Sequence, residues 1–271
     1  MIETNDFVDH IAGIIPIAGQ PLAYNMPWHD SLIPVNDDYH AIERAVHSAT
    51  VAGCNTIWIV MHKESQPIIR KKIGEWAYDP ETTWKNPFPW MQLKQIPIYY
   101  VAVNAKDRRR RDSLGWSCLY GAKVASYTSK KISKWALPKR FLVISPYGIF
   151  SENTIKDNRT LIRGKKEILF KNNNLNILNE QFMPFTFNQK QYEICLKQFK
   201  EEYTGKDTDK TTSEIFKHIH LSDYHPLGLD WYYNIDSWTN YRRFISSEHN
   251  LECTRPKYML SHTWHGLIEN R

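Results

Sequence analysis

Residues 56–61 read Thr-Ile-Trp-Ile-Val-Met, a run of β-branched and apolar side chains that predicts a strand buried on both faces. Such strands are typical of the centre of a parallel sheet. An apolar run over residues 12–18, closing on Gly19, predicts the first strand of the same sheet. Between the two runs, apolar residues at helical spacing over 39–52 predict a helix that Gly53 ends. The order strand, helix, strand indicates a β-α-β unit with two parallel strands.

The alternation of strands and helices continues to about residue 150. Apolar positions over 68–76 predict a second helix, and residues 98–103 (Ile-Tyr-Tyr-Val-Ala-Val) predict a third strand. Helical periodicity returns over 113–127, and residues 141–144 (Phe-Leu-Val-Ile) predict a fourth strand. These elements predict an α/β fold with a mostly parallel central sheet and helices on both faces. In such folds ligands bind at the carboxyl ends of the strands.

The second half of the chain carries weaker patterns. Residues 167–170 predict a strand, 191–203 a helix, 204–212 a polar loop and 237–247 a final helix. We expect them to form a smaller C-terminal addition to a single domain.

Composition excludes several classes of protein. A chain of 271 residues with 42% hydrophobic residues can bury a large core, which rules out disordered, collagen-like and coiled-coil structures. Its formal charge of +6 favours phosphate-bearing partners. Four well-separated cysteines without a C-x-x-C pair argue against zinc knuckles and favour a reducing compartment. The polar N-terminus and the lack of a long apolar run lead us to expect a cytoplasmic protein with no membrane partner.

Several segments, taken in order, resemble the sugar-1-phosphate nucleotidyltransferase family. They are residues 14–20 (IIPIAGQ) with 31–35 (SLIPV), 52–60 (AGCNTIWIV), 114–122 (LGWSCLYGA), 141–148 (FLVISPYG) and 233–238 (YNIDSW). The resemblance implies the family's GT-A fold, a three-layer Rossmann-like sandwich with a mostly parallel central sheet, over residues 1–271. It also implies a nucleotide-binding half, 1–165, and an acceptor half, 166–271.

The resemblance further implies a site at the strand ends. Nucleotide would contact the residues at matching positions, which are Ala18, Gly19, Gln20, Gly115, Trp116, Ser117 and Tyr147. Glycine in the first loop lets the backbone approach phosphate closely. The late element would hold Mg²⁺ through the side-chain oxygens of Asn234 and Asp236.

This sequence departs from the family pattern at charged positions. The first loop has one glycine and no arginine, and His29-Asp30 stands where the family has Pro-Lys. Tyr147 stands where the family has a metal-binding Asp, and a neutral phenol cannot supply a hard anionic oxygen.

A basic run follows the third predicted strand. Residues 106–112 hold five cations and two carboxylates, and the run includes Arg108, Arg109, Arg110 and Arg111. At a ligand-binding edge these arginines would neutralise phosphate or contact an anionic polymer. A solvated charged segment is the alternative.

Three functions follow from these observations. The first is a nucleotidyltransferase-like protein that binds a nucleotide or nucleotide sugar and transfers a nucleotidyl group to a sugar phosphate, releasing pyrophosphate. The second is a catalytically decayed binding or structural module that contacts nucleic acid or an acidic protein through Arg108–Arg111. The third is a glycosyltransferase on the same fold, disfavoured because no D-x-D motif lies at the expected place.

Two groups of histidines suggest a further metal site. His218, His220, Asp223 and His225 lie within eight residues, and His262 and His265 lie near the end of the chain. Their spacing matches no specific zinc motif, and surface or hydrogen-bonded histidines are the alternative.

Overall fold

A sheet of eight strands runs through the part of the protein that the computed structural model describes, residues 10–19, 22–81, 94–132, 137–202, 212–217, 219 and 221–256. In chain order the strands of the protein are β1 (Ile11–Pro16), β2 (Pro34–Asn36), β3 (Tyr39–His40), β4 (Thr56–Met61), β5 (Trp76–Tyr78), β6 (Gln95–Ala102), β7 (Arg140–Val143), β8 (Gly148–Phe150), β9 (Ile168–Lys171), β10 (Phe185–Asn188), β11 (His225–Gly228) and β12 (Tyr232–Asn234). The large sheet has the order β11-β9-β10-β7-β1-β4-β6-β5.

The centre of the sheet is parallel, as the sequence predicts. Strand β1 pairs in parallel with β7 on one side and β4 on the other, which places Gly13 between Leu142 and Ile57. Strand β6 pairs in parallel with β4. All four predicted strands therefore lie side by side in one sheet.

Helices cover both faces of this sheet. They are α1 (Ala41–Val51), α2 (Gln66–Ile73), α3 (Ala105–Arg111), α4 (Leu114–Ile132), α5 (Glu152–Asp157), α6 (Arg159–Ile162), α7 (Gln189–Glu202), α8 (Thr212–Phe216) and α9 (Trp238–Ile245). One buried cluster holds apolar residues of α1 and α2, and a second, on the opposite face, holds apolar residues of α4, α7 and α8. The predicted three-layer α/β sandwich is confirmed. No helix in these described ranges is both long and apolar enough to cross a membrane.

The second half adds antiparallel strands that the sequence did not indicate. Strand β10 runs antiparallel to β7 and β9, and β12 pairs with β8 in a separate two-stranded sheet. Trp76, predicted as the end of the second helix, lies instead in β5, which pairs antiparallel with β6. Gly74 ends α2 with a φ of 84°, a conformation that glycine adopts without strain.

Helix α4 lies close to the sheet because Gly121 has no side chain. A Cβ at this position would lie 2.8 Å from Val60 Cγ2 and 2.9 Å from Ile14 Cγ2. Both neighbours are fully buried β-branched residues of central strands and have little freedom to move. The glycine therefore sets the distance between α4 and the strands beneath it.

We predict that Gly121→Val lowers the free energy of unfolding, because the new side chain overpacks the contact with Ile14 and Val60. The control Lys123→Val introduces the same β-branched residue at an exposed position of α4. Urea denaturation followed by circular dichroism should show a loss about 1–3 kcal/mol larger for the Gly121 variant. Equal losses would show that α4 has room to shift.

Candidate ligand-binding cavity at the strand ends

A cavity of about 560 Å³ opens at the carboxyl end of the parallel sheet. We call it the strand-end cavity; it is lined by Ile17, Gly19, Leu22, Asn25, Met26, Trp28, His29, Asp30, His62, Arg108, Asp112 and Tyr147. Gly19 follows β1, His62 directly follows β4, Arg108 follows β6 and Tyr147 follows β7. Each of the four parallel strands thus delivers a residue to one cavity, the arrangement by which open α/β sheets bind ligands.

The first loop brings backbone to the cavity. The N–H groups of Ile17 and Ala18 both donate to the carbonyl of Val60, at 2.8 and 2.9 Å, which turns the chain at the end of β1. Gly19 follows with a φ of 128°, and a Cβ there would lie 3.4 Å from the backbone nitrogen of Leu114. The loop therefore abuts the first residue of α4, where the helix dipole is positive.

Ser117 fastens the first loop to α4. Its hydroxyl donates to the carbonyl of Ala18 at 3.2 Å, and Ser113 accepts from the backbone N–H of Trp116 at 3.2 Å. Ala18 and Ser117 therefore lie directly behind the cavity lining and hold its backbone in place.

The turn around His29 forms another part of the lining. The Nδ1 atom of His29 accepts from the backbone N–H of Ser31 at 3.2 Å, and Asp30 Oδ2 accepts from the backbone N–H of Leu22 at 2.7 Å. Burial lowers the pKa of His29 and outweighs the attraction of Asp30, and His62 lowers it further. The neutral imidazole, which alone can accept at Nδ1, is the form that the fold holds.

Charged side chains at the cavity are mostly paired. His62 Nε2 lies 2.9 Å from Asp112 Oδ1, and Arg108 donates to Glu64 Oε1 at 2.7 Å. Asp30 is only 8% exposed and forms no ion pair with a lysine or arginine in the described ranges. Among the side chains that the structure describes, the lining therefore presents two carboxylates, Asp30 and Asp112, and the guanidinium of Arg108.

Tyr147 is a buried aromatic residue of the cavity lining. Burial raises the pKa of its hydroxyl, and the nearby Asp30 carboxylate raises it further, so the phenol is neutral at physiological pH. Its ring meets Phe182 edge-on at 5.4 Å, and its carbonyl accepts from the N–H of Ile235. Tyr147 thus lies between the cavity and the element that contains Asn234.

Asn234 and Asp236 lie in a separate polar cluster with Glu180. The amide nitrogen of Asn234 donates to both oxygens of Glu180, at 3.2 and 3.3 Å, and to Asp236 Oδ2 at 3.1 Å. The other oxygen of Asp236 accepts from Asn240 at 2.8 Å. Burial raises the pKa of Glu180, and the charge of Asp236 adds to the rise.

This cluster does not fit a bound Mg²⁺ as it is arranged. Magnesium needs several oxygen ligands, but an amide nitrogen occupies the space between the two carboxylates. Within the described residues, no three His, Cys, Asp or Glu side chains form a group that could hold a metal. We therefore derive no step through Mg²⁺, which stays a prediction for the binding experiment below.

Two of the predicted nucleotide contacts point away from the cavity. Trp116 is 3% exposed and stacks on Phe199 of α7, with ring centroids 4.8 Å apart. A Cβ on Gly115 would contact the Ile215 side chain of α8. Both residues lie in the first turn of α4 but on the side that packs against neighbouring helices.

Other predicted residues cannot be placed at a site. Gln20, His218, His220, His262 and His265 lie outside the described residues. The side chains of Arg109, Arg110 and Arg111 are likewise not described, although all three belong to α3. Of the basic run, Arg108 is placed at the cavity.

Sequence reasoning missed Trp28 and His62 as cavity residues, whereas Asp112 belongs to the run 106–112 that the sequence placed at the ligand edge. His62 directly follows β4, so its position at the end of a parallel strand was a usable signal. Trp28 had none, because its place depends on the fold of the loop before β2.

We predict that stability falls in mild acid because of His29. Since its pKa is lowered in the folded state, the unfolded chain binds the proton first, and the free energy of unfolding falls as pH drops below about 6.5. One such group contributes a slope of at most about 1.4 kcal/mol per pH unit. His29→Asn keeps an acceptor for Ser31 but does not titrate, so urea denaturation at several pH values should show a smaller slope. His225→Asn, on edge strand β11, is the control, and an unchanged slope in His29→Asn would contradict the assignment.

Comparisons with known proteins place this fold. No protein-family model matches the chain, and no curated protein matches its sequence. Solved structures share the fold, among them a UDP-glucose pyrophosphorylase complexed with UDP-glucose, with a TM-score of 0.58, 13% identity and coverage of 87% of this chain and 97% of that one.

Two further solved structures are cytidylyl-group enzymes. The CTP:phosphocholine cytidylyltransferase of Streptococcus pneumoniae matches with a TM-score of 0.54 and 16% identity over 87% of this chain and 98% of that one. The 4-diphosphocytidyl-2C-methyl-D-erythritol synthase of Anaerococcus prevotii matches with a TM-score of 0.52 and 12% identity over 88% and 95%. This chain therefore has the Rossmann-like fold of the nucleotidyltransferases.

Proposed function

We propose that this protein binds a nucleotide or a nucleotide sugar in the strand-end cavity. The observation that carries the proposal is the convergence of Gly19, His62, Arg108 and Tyr147, one from each parallel strand, on a single cavity. Its volume of about 560 Å³ lies within the range of small-molecule sites. The similar structures support the same ligand class, since they include a pyrophosphorylase bound to UDP-glucose and enzymes of cytidylyl chemistry.

Phosphate would bind where the first loop meets α4. The backbone at Gly19 lies against the first residue of a 19-residue helix, whose dipole favours negative charge. Arg108 provides a guanidinium in the lining of the same cavity. Its pairing with the exposed Glu64 carboxylate is open to exchange, because surface ion pairs contribute little free energy.

Nucleotidyl transfer to a sugar phosphate is the reaction that this fold would perform. A phosphate oxygen of the acceptor would attack the α-phosphorus of a nucleoside triphosphate, forming one P–O bond as the bond to pyrophosphate breaks. Such a reaction needs positive charge around the phosphates to stabilise the transition state. Of the residues placed at the cavity, Arg108 would supply that charge. The start of α4 beside Gly19 would add the positive end of the helix dipole.

Isothermal titration with UTP, CTP, TTP and UDP-glucose, with and without Mg²⁺, tests the proposal. We predict that at least one binds, and that Arg108→Ala weakens its binding about three- to tenfold by removing a phosphate contact. Arg70→Ala is the matched control, because Arg70 forms a similar exposed ion pair with Glu75 outside the cavity. The proposal fails if none of these ligands binds, or if both variants weaken binding equally.

A second candidate, binding without catalysis, is favoured by the charges at the site. Asp30 puts a carboxylate where the family has a lysine, and the buried phenol of Tyr147 replaces a metal-binding Asp. Each change removes a group that would stabilise charge on the reacting phosphate, and such groups contribute several kcal/mol. A protein altered in this way could keep ligand binding and lose group transfer.

We therefore predict that the wild-type protein releases no pyrophosphate from a nucleoside triphosphate and a sugar phosphate. Restoring the family residues with Asp30→Lys and Tyr147→Asp should give Mg²⁺-dependent release in a coupled phosphate assay, if the altered charges are the cause. Release by the wild-type protein would instead show that it is an active transferase.

The remaining alternatives stay predictions. Labelled UDP-glucose with an acceptor would reveal glycosyl transfer. A contact with nucleic acid or an acidic protein through Arg108–Arg111 would weaken steeply with salt.

A further inference from the structure

Asp30 is a buried carboxylate in the lining of the cavity, and no lysine or arginine side chain that the structure describes is paired with it. Its side chain is 8% exposed, its Oδ2 accepts the backbone N–H of Leu22, and it forms no ion pair with lysine or arginine in the described part of the chain. The adjacent His29 is held neutral by its burial and by its bond from Ser31. Burying a carboxylate in this way costs free energy unless a positive group binds beside it.

The other charged side chains of the described lining have side-chain partners. Asp112 Oδ1 lies 2.9 Å from His62 Nε2, and Arg108 pairs with Glu64 at 2.7 Å. Among the lining residues whose side chains are described, Asp30 is therefore the charged one that contacts a backbone N–H and no side chain of opposite charge.

Two aromatic side chains line the cavity together with Asp30. Trp28, two residues earlier, is 51% exposed, so its ring is accessible to a ligand. Tyr147 lies in the same lining. Aromatic faces attract cations, and a carboxylate beside aromatic rings is the usual setting for binding an ammonium group.

The turn that carries these groups is fixed before any ligand binds. Leu22 and Asp30 are joined by a hydrogen bond across the loop, and His29 caps the short helical turn that begins at Asp30. The backbone around residues 28–31 and the Asp30 carboxylate are thus held in place, which lowers the entropy cost of binding a ligand there.

We propose that the strand-end cavity binds a ligand that presents an ammonium group to Asp30 and Trp28. Resting on the proposed function, this inference names the ligand that binds beside the nucleotide as a phosphate monoester that carries an ammonium. Its phosphate would lie toward Gly19 and Arg108. An amino-sugar phosphate and a choline-type phosphate share this chemistry.

Two pairs of ligands test the inference by calorimetry. Glucosamine 1-phosphate and glucose 1-phosphate differ in the ammonium, and so do phosphocholine and its ammonium-free analogue 3,3-dimethylbutyl phosphate. We expect the ammonium-bearing member of at least one pair to bind about tenfold more tightly than its ammonium-free partner. The pair that shows the preference identifies the source of the ammonium.

Variants assign the preference to the two residues. Asp30→Asn keeps an acceptor for Leu22 but removes the charge, and should reduce the preference to about twofold or less. Asp37→Asn, on an exposed turn outside the cavity lining, is the control and should keep the full preference. Trp28→Leu keeps an apolar side chain without the aromatic face. It should weaken binding of the ammonium-bearing ligand more than binding of its ammonium-free partner.

Three results would overturn the inference: no binding of either ammonium-bearing ligand, equal binding within both pairs, or a preference for the ammonium that survives Asp30→Asn. These failures differ from failure of the proposed function, which is measured with nucleotides and nucleotide sugars. UDP-glucose could bind normally while no ammonium preference exists, and the reverse result would leave Asp30 as an ammonium site on a protein that binds no nucleotide.

Discussion

The close approach of chain segments to both faces of strand β1 is the constraint on which the site depends. On one face a Cβ at Gly13 would lie 3.1 Å from Cys54 Sγ and 3.2 Å from Ala49 Cβ, and on the other Gly121 lets α4 contact Ile14. With α4 held against the sheet, its first residue Leu114 lies beside the loop that leaves β1. The backbone at Gly19 and the start of the helix therefore meet by packing, before any ligand contributes.

The parallel centre of the fold could be predicted because each of its strands has a recognisable pattern of apolar residues. A strand covered on both faces must be apolar at consecutive positions, as over 56–61, and few other elements have that pattern. The added strands lack it: β10 reads Phe-Thr-Phe-Asn and β11 reads His-Pro-Leu-Gly, and both are short. Their pairing depends on partners distant in sequence, which local periodicity cannot show. Trp76 was misplaced for the same reason, since β5 is a strand only through its pairing with β6.

Residues of the candidate site could be predicted where their position directly after a strand is enough to place them at the cavity. Gly19 and Tyr147 follow parallel strands, and residues there reach the ligand edge whatever the helices do. The positions of Gly115 and Trp116 depend on which way the first turn of α4 faces. That orientation is set by the packing of α4 against α7 and α8, which the local sequence does not show. Asn234 and Asp236 stand at positions that resemble the late element of the nucleotidyltransferase family. In the structure the amide of Asn234 donates to Glu180, which comes from another segment, and to Asp236, so these contacts decide which atoms are left for a ligand.

The charge of the cavity and the conformation of its loop are not independent properties. Asp30 holds Leu22 through its carboxylate, and His29 holds Ser31 only while its Nδ1 is unprotonated. A lysine at position 30 would bring positive charge to the phosphates but would lose the acceptor that fixes the turn carrying Trp28. At this position a gain of positive charge near the phosphates is therefore opposed by the loss of one hydrogen bond in the loop. A shared fold can accordingly present a different ligand chemistry through one turn, since the backbone contacts around Gly19 do not depend on it.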